Sequence, residues 1–232
     1  MKRFRALIFD VDGTLAETEE LHRRAFNETF ACFGLRWKWS VALYGDLLKT
    51  TGGKERIRRF SRLAQGGDRD ISDDEVAKLH RFKTMRYTQL MQDGACPLRP
   101  GIADAICAAQ ARGQHLAIAT TTSRENVEVL LEATLGARGI ESFGTIVAGD
   151  EVSRKKPAPD AYLKVLSLLG LPGTDCLAIE DSRNGLIAAS RAGIPVLITR
   201  SGYFKTDDFD GAVAVVDRLD ELENFELPFA AG

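Results

Sequence analysis

Cysteine is scarce in this 232-residue sequence, and its four cysteines are scattered along the chain. They are Cys32, Cys96, Cys107 and Cys176. No two of them form a Cys-x-x-Cys pair and none has a histidine close by, so the sequence predicts neither a disulfide framework nor a zinc site. We expect four reduced thiols with ordinary structural roles.

Long apolar runs and an excess of either charge are also missing. No apolar run approaches the roughly 18 to 20 residues that span a bilayer, and the segment after Met1 has no signal-peptide core. The formal charge is −2, so no overall positive field attracts nucleic acid or an anionic membrane. We expect a soluble, cytoplasmic protein that binds neither of them, and a monomer is the simplest expectation.

The sequence does contain enough apolar residues, 44%, for one large core or for a core with a smaller second unit. From residue 102 onward, helical and strand-like segments alternate. Predicted helices cover 102–112, 124–135, 160–169 and 183–192, and predicted strands cover 116–120, 145–148, 176–179 and 195–199, with an edge strand at 212–216. This alternation predicts an α/β fold with a Rossmann-like parallel sheet covered by helices on both faces.

Residues 16–94 interrupt the alternation, because their periodicity is helical throughout. Predicted helices cover 19–33, 40–48, 54–64 and 72–91, and the last begins with a Ser72–Glu75 capping box. The first helix is predicted to bury Leu21, Ala25, Phe26, Phe30 and Phe33. We therefore predict a helical unit, 16–94, inserted into a core formed by 1–15 and 95–232.

The stretch at residues 6–15, Ala-Leu-Ile-Phe-Asp-Val-Asp-Gly-Thr-Leu, carries the strongest chemical signal. Residues 6–9 have the length of a buried parallel strand, and Asp10 and Asp12 follow it. Two residues apart on a strand, both carboxylates point to the same side, and Gly13 lets the chain turn away. An Asp-Gly turn is common after any strand, but ligands bind at this edge of open α/β sheets.

Other polar groups stand at predicted strand ends or before predicted helices. In chain order they are Thr120, Thr121, Lys155, Lys156, Glu180 and Asp181. Each alone is explained by helix capping, a solvated turn or the helix dipole. Because the carboxyl ends of parallel strands meet at one edge, we expect all of them to lie together with Asp10 and Asp12.

Four carboxylates at one edge require a cation. Two like charges 4 Å apart repel by roughly 4 kcal/mol at an effective dielectric constant near 20. Oxygen ligands without histidine or cysteine favour a hard ion, and hydroxyls with a lysine are typical phosphate-binding groups. The pattern therefore predicts Mg²⁺ beside a phosphate site.

Four of these motifs, taken in order, resemble those of the haloacid dehalogenase superfamily. They are Asp10-Val11-Asp12-Gly13-Thr14-Leu15, Thr120, Lys156-Pro157 and Glu180-Asp181-Ser182. The resemblance covers essentially the whole chain, and the helical insertion resembles the C1-type cap. Gly52-Gly53-Lys54-Glu55-Arg56, with Glu17 and His22, is similar to the CbbY type of sugar-bisphosphate phosphatase, encoded alongside Calvin-cycle genes.

The resemblance implies a phosphatase mechanism for the core. Asp10 would attack phosphorus to form an aspartyl phosphate, and Asp12 would act first as acid and then as base. Asp10, the Asp12 backbone carbonyl and Asp181 would hold Mg²⁺, with Glu180 bound directly or through water. The phosphoryl group would be held by Thr120, Thr121 and Lys156, with Lys155 as the second choice of lysine.

The resemblance also implies that the cap selects the substrate. Glu17 suits sugar hydroxyls, and His22 fits a core histidine as well as a ligand. Lys54 and Arg56, beside Gly53 at a helix start, suit a second phosphate, although a solvated helix face is an equal alternative. The implied substrate is xylulose-1,5-bisphosphate; a β-phosphoglucomutase-like mutase and a phosphoglycolate-type phosphatase are the alternatives.

Overall fold

The computed structural model describes residues 4–64, 67, 70–94, 96–136 and 138–222. The predicted core and helical unit also contain residues 1–3, 65–66, 68–69, 95, 137 and 223–232, which lie outside the described residues. All four cysteines are free thiols, as expected. Within the described ranges, no helix is both long enough and apolar enough to cross a membrane.

Six parallel strands form one sheet in the order β3-β2-β1-β4-β5-β6. The strands are β1 (Ala6–Phe9), β2 (His115–Ala119), β3 (Thr145–Val147), β4 (Cys176–Glu180), β5 (Val196–Thr199) and β6 (Ala214–Val216). Every residue of β1 and β4 is buried, which explains why these strands read as continuous apolar runs. The predicted edge strand near residue 212 is confirmed as β6.

Helices cover both faces of the sheet. They are α5 (Ile102–Ala111), α6 (Arg124–Leu135), α7 (Gly139–Ser142), α8 (Asp160–Leu169) and α9 (Arg183–Arg191). Phe9 and Ile118 pack on one face in a cluster with residues of α5 and α6, and Ile8 and Ala117 pack on the other with residues of α8 and α9. The predicted α/β fold with a Rossmann-like parallel sheet is confirmed.

The helices of the inserted cap are α1 (Glu19–Cys32), α2 (Val41–Leu48), α3 (Gly53–Ser61) and α4 (Asp73–Gln92). They enclose a separate aromatic cluster in which Trp39 contacts Phe26, Phe30 and Tyr44 at ring separations of 4.5 to 5.7 Å. The predicted capping box at Ser72 is present at the start of α4.

The prediction that Phe33 is buried is wrong. Its side chain is 44% exposed, because α1 ends at Cys32 and the chain reverses at Gly34, where φ is +67°. The ring lies outside the aromatic cluster, edge-on to Phe82 at 5.5 Å.

The two connections between cap and core lie side by side. Ala16 bridges to Leu98, and the Arg99 N–H donates to the Leu15 carbonyl at 2.8 Å. The Arg99 guanidinium donates to the carbonyls of Thr199 and Asp217, both at 3.0 Å. The cap is thereby tied to the carboxyl ends of β5 and β6. Ala25 of α1 and Tyr87 of α4 pack in the same apolar cluster as the sheet, so the packing does not divide the chain at 15/16 and 94/95. These domain boundaries therefore stay a prediction.

Candidate active site

Strand register brings the sequence-predicted groups together. Phe9 in β1 pairs with Ile118 in β2 and with Ile179 in β4. The next residue, Asp10, therefore lies level with Ala119 and Glu180, and its N–H donates to the Ile179 carbonyl at 3.0 Å. Thr120 and Asp181 are the next residues along the flanking strands. One edge of the sheet therefore carries Asp10, Thr120, Glu180 and Asp181.

Lys156 reaches this edge from the loop before α8. Its Nζ lies 2.5 Å from Asp10 Oδ1 and 2.5 Å from Glu180 Oε1, and it donates to the Ala119 carbonyl at 2.8 Å. Burial lowers the pKa of Lys156, but the two carboxylates outweigh this effect and raise the pKa above its usual value. The site therefore contains a permanent cation. The neighbouring Lys155 instead pairs with Glu55 of α3 at 3.3 Å.

Three buried carboxylates form a group that suits a divalent cation. Asp10, Glu180 and Asp181 each offer an oxygen within 4.8 Å of the others. Burial raises the pKa of Asp10 to about 8 and that of Asp181 well above its usual value, and Asp181 Oδ2 is buried without a hydrogen-bond partner. Three carboxylates beside the single cation Lys156 form an all-oxygen set that fits Mg²⁺, whose charge would favour the ionised forms of Asp10 and Asp181.

Gly13 makes room for this group. Its φ is +83°, and a Cβ at this position would lie 2.0 Å from Asp181 Oδ2. Only glycine satisfies both the backbone conformation and the close approach.

Asp12 is held by a chain of hydrogen bonds on the cap side. Thr18 Oγ1 donates to Asp12 Oδ1 at 2.6 Å, His22 Nε2 lies 2.9 Å from the same oxygen, and Lys83 Nζ lies 2.7 Å from His22 Nδ1. Burial raises the pKa of Asp12, but His22 and Thr18 outweigh it and hold the pKa well below its usual range. Burial and Lys83 lower the pKa of His22. When His22 is neutral and its Nδ1 accepts a hydrogen bond from Lys83, its Nε2 carries the proton and donates to Asp12.

A cavity of about 530 Å³ lies between the cap and the carboxyl end of β2. Its lining includes Asp12, His22, Gly53, Lys54, Arg56, His80, Lys83 and Thr121. Lys54 is exposed and has no hydrogen bond or ion pair among the described residues, whereas Arg56 is buried. His80 lies against Gly53, where a Cβ would be 2.8 Å from His80 Nε2.

Glu17 is placed differently. Its half-exposed carboxylate accepts from the Gly202 N–H at 3.3 Å and lies 3.3 Å from Arg99 Nε, outside the lining of this cavity. The structure thus groups His22, Gly53, Lys54 and Arg56 around one space and leaves Glu17 at the connection between cap and core.

Comparisons with known proteins agree with this geometry. Residues 4–193 match the family of haloacid dehalogenase-like hydrolases. Protein CbbY of Rhodobacter capsulatus is 53% identical over 208 residues, 90% of each chain. The chain belongs to the haloacid dehalogenase-like hydrolases, as a phosphatase of the CbbY type.

Solved structures show how closely this phosphatase shares its fold with relatives. A crystal structure of an Asp-to-Asn mutant of CbbY from Rhodobacter sphaeroides, in complex with xylulose-1,5-bisphosphate, is 48% identical with a TM-score of 0.89, covering 94% of this chain and 96% of that one. A β-phosphoglucomutase from Clostridium difficile, at 20% identity and a TM-score of 0.76 over 95% and 93% of the chains, shares the fold alone.

Two site residues of this phosphatase were missed by the sequence prediction. Lys83 lies on the buried stripe of α4, four residues from both Leu79 and Tyr87, and is 3% exposed. A lysine on an apolar stripe was the available signal. Tyr162 donates to Glu180 Oε1 at 2.6 Å, but its position in α8 is typical of an ordinary core aromatic, so no signal distinguished it.

Proposed function

We propose that this phosphatase is Mg²⁺-dependent, forms an aspartyl phosphate at Asp10 and removes one phosphate from xylulose-1,5-bisphosphate. The observation that carries the proposal is the shared cavity: Asp12 lines it together with the cations Lys54 and Arg56. One phosphate at Asp10, which lies next to Asp12 outside the lining, and a second near these cations would account for the residues that line this space. The relative solved with xylulose-1,5-bisphosphate supports this substrate.

The first step in the proposal is phosphoryl transfer to the enzyme. The Asp10 carboxylate attacks phosphorus, the bond from phosphorus to the sugar oxygen breaks, and Asp12 gives that oxygen a proton. Asp12 must first take up this proton, since His22 and Thr18 favour its ionised form. A dianionic phosphate beside Asp12 raises its pKa, because like charges disfavour ionisation.

The second step is hydrolysis of the aspartyl phosphate. Asp12, now ionised, accepts a proton from water as the water attacks phosphorus, and the Asp10 carboxylate is released with orthophosphate. Lys156 and the Thr120 hydroxyl hold the phosphoryl oxygens through both steps. Mg²⁺, held by Asp10, the Asp12 carbonyl and Asp181, with Glu180 close by, would offset negative charge on phosphate and nucleophile.

Orthophosphate release from three substrates tests the proposal. We expect Mg²⁺-dependent release from xylulose-1,5-bisphosphate, with much lower kcat/KM for phosphoglycolate and β-glucose 1-phosphate. Formation of glucose 6-phosphate from β-glucose 1-phosphate would instead indicate the mutase.

The second-phosphate site is tested by Lys54→Ala and Arg56→Ala. A charge-assisted contact to phosphate is worth roughly 1.5 to 3 kcal/mol, so each change should lower kcat/KM for the bisphosphate about ten- to a hundredfold. Turnover of p-nitrophenyl phosphate, which lacks a second phosphate, should barely change. Equal losses on both substrates would assign these residues to cap folding.

A further inference from the structure

Three helices of the cap each contribute one side chain to a buried polar cluster. The Tyr44 hydroxyl of α2 donates to Glu19 Oε2 of α1 at 2.7 Å and accepts from Arg56 Nη1 of α3 at 2.9 Å. Glu19 and Arg56 lie 3.9 Å apart, beyond a direct hydrogen bond. The tyrosine hydroxyl is therefore the group that joins the carboxylate to the guanidinium.

The contacts of Arg56 leave one edge of its guanidinium available. Nε donates to the Thr50 carbonyl at 3.0 Å and Nη1 donates to Tyr44, while no described residue accepts from Nη2. Arg56 also lines the active-site cavity. Since the side chain is otherwise buried, the cavity is where this nitrogen can meet a ligand.

The Tyr44 ring is fixed independently of its hydroxyl. It stacks on Trp39 at 5.7 Å and contacts Tyr203 edge-on at 5.6 Å, and the Arg56 guanidinium lies 5.5 Å from the ring centre. Burial and the Glu19 charge raise the pKa of Tyr44 well above its usual value, so the hydroxyl stays a donor to Glu19. Removing the oxygen alone should leave the ring in place.

We infer that Tyr44 is a positioning residue for substrate selection, which holds Arg56 with one guanidinium edge presented to the distal anionic group of the substrate. An arginine already immobilised by Tyr44, Glu19 and Thr50 loses less side-chain freedom when it binds a phosphate. The inference rests on the proposed function, in which Arg56 contacts the second phosphate of a bisphosphate.

A double-mutant cycle tests the inference with Tyr44→Phe, Arg56→Ala and the double variant. We expect Tyr44→Phe to raise KM for xylulose-1,5-bisphosphate about five- to tenfold with kcat changed less than twofold, the effect of one lost hydrogen bond to a charged group. kcat/KM for p-nitrophenyl phosphate should stay within about twofold of wild type. In the Arg56→Ala background, Tyr44→Phe should have no further effect, since its role acts through Arg56.

Tyr203→Phe is the matched control. The Tyr203 hydroxyl donates to Glu20 at 2.8 Å, and the Tyr203 ring faces Tyr44. The substitution removes this hydroxyl and leaves the hydrogen bonds of Arg56 in place. Its KM for the bisphosphate should equal that of wild type, and thermal unfolding of every variant checks that the cap is folded.

The outcomes separate the inference from the proposed function. Impaired bisphosphate turnover in Arg56→Ala with none in Tyr44→Phe overturns the inference and leaves the second-phosphate site standing. Additive effects in the double variant, or equal losses on p-nitrophenyl phosphate, also overturn it. Unchanged bisphosphate turnover in Arg56→Ala removes the second-phosphate site itself, and the positioning role with it.

Discussion

Asp10 is the residue on which the covalent mechanism depends. Asp10→Asn is nearly isosteric, but a carboxamide is a far poorer nucleophile than a carboxylate. We expect the variant to fold and to release orthophosphate at less than about one per cent of the wild-type rate. Circular dichroism and an orthophosphate assay check the two parts. A folded variant that retains more activity would contradict an aspartyl-phosphate intermediate.

Gly13 is the residue on which the placement of Asp181 depends. In Gly13→Ala, the new methyl group would overlap Asp181 Oδ2, so the carboxylate must leave its present position in the group with Asp10 and Glu180. We expect at least a tenfold higher Mg²⁺ concentration for half-maximal activity, equivalent to about 1.4 kcal/mol or more.

Gly113→Ala separates this effect from backbone strain. Gly113 also has a positive φ, +68°, but a Cβ there meets no atom within 4 Å. A left-handed conformation costs an alanine roughly 1 to 2 kcal/mol, so this control should lose stability and keep its Mg²⁺ requirement. A similar Mg²⁺ response in both variants would show that strain, rather than the Asp181 contact, is responsible.

At the residue scale, the sequence indicated those groups that follow a strand. Asp10, Thr120 and Asp181 were predictable because parallel strands end at one edge, a rule that needs only the order of elements. Tyr44 and Lys83 were not, because their partners Glu19 and His22 lie 25 and 61 residues away along the chain. Contacts of that kind depend on how cap helices pack, which periodicity does not specify.

At the element scale, helix and strand bounds were predicted within a few residues wherever a cap or a glycine marks the end. Ser72 starts α4 through its capping box, and Gly170, with φ +63°, ends α8. The four-residue helix α7 was missed because it is too short to show a period. Phe33 was misplaced because the apolar pattern continued one residue beyond the end of α1.

Helix α4 carries a buried charge, and this makes stability depend on pH. Burial lowers the pKa of Lys83 from 10.5 to about 7. Between pH 7 and pH 10.5, Lys83 is protonated in the unfolded chain and neutral in the folded chain. The contribution of Lys83 to the free energy of unfolding therefore rises with pH over this range. Below pH 7 the full cost of burying the ammonium group is present.

Lys83→Met should therefore be more stable than wild type at pH 6, with an advantage that shrinks as the pH rises towards 10. One pKa unit corresponds to about 1.4 kcal/mol, so the difference in Tm should narrow by roughly 5–15 °C over this range. Thermal unfolding across the pH series measures it. Lys78→Met, at an exposed position of the same helix, should show no such trend. A pH-independent difference for Lys83→Met would mean that Lys83 stays charged when buried.

At the scale of the whole molecule, cap and core meet beside the buried Lys156. Thr51 of the cap donates to the Lys156 carbonyl at 2.5 Å, and the neighbouring Lys155 pairs with Glu55 of α3. The position of the cap and the position of the loop that carries Lys156 are therefore coupled, so a ligand that orders one should stabilise the other.

Mg²⁺ should stabilise the whole chain, because three buried carboxylates, Asp10, Glu180 and Asp181, surround its proposed site and repel one another in its absence. At a concentration a hundred times its Kd, a ligand that binds only the folded state adds about 2.7 kcal/mol, which raises Tm by roughly 5–10 °C in a chain of this size. Thermal unfolding in MgCl₂, compared with NaCl of equal ionic strength, isolates this effect from general screening. Asp181→Asn, which replaces one carboxylate of the group with a carboxamide, should reduce the shift, because a carboxamide is a weaker ligand for Mg²⁺. An equal rise in NaCl, or the same Mg²⁺ shift in Asp181→Asn, would contradict a metal site at Asp10, Glu180 and Asp181.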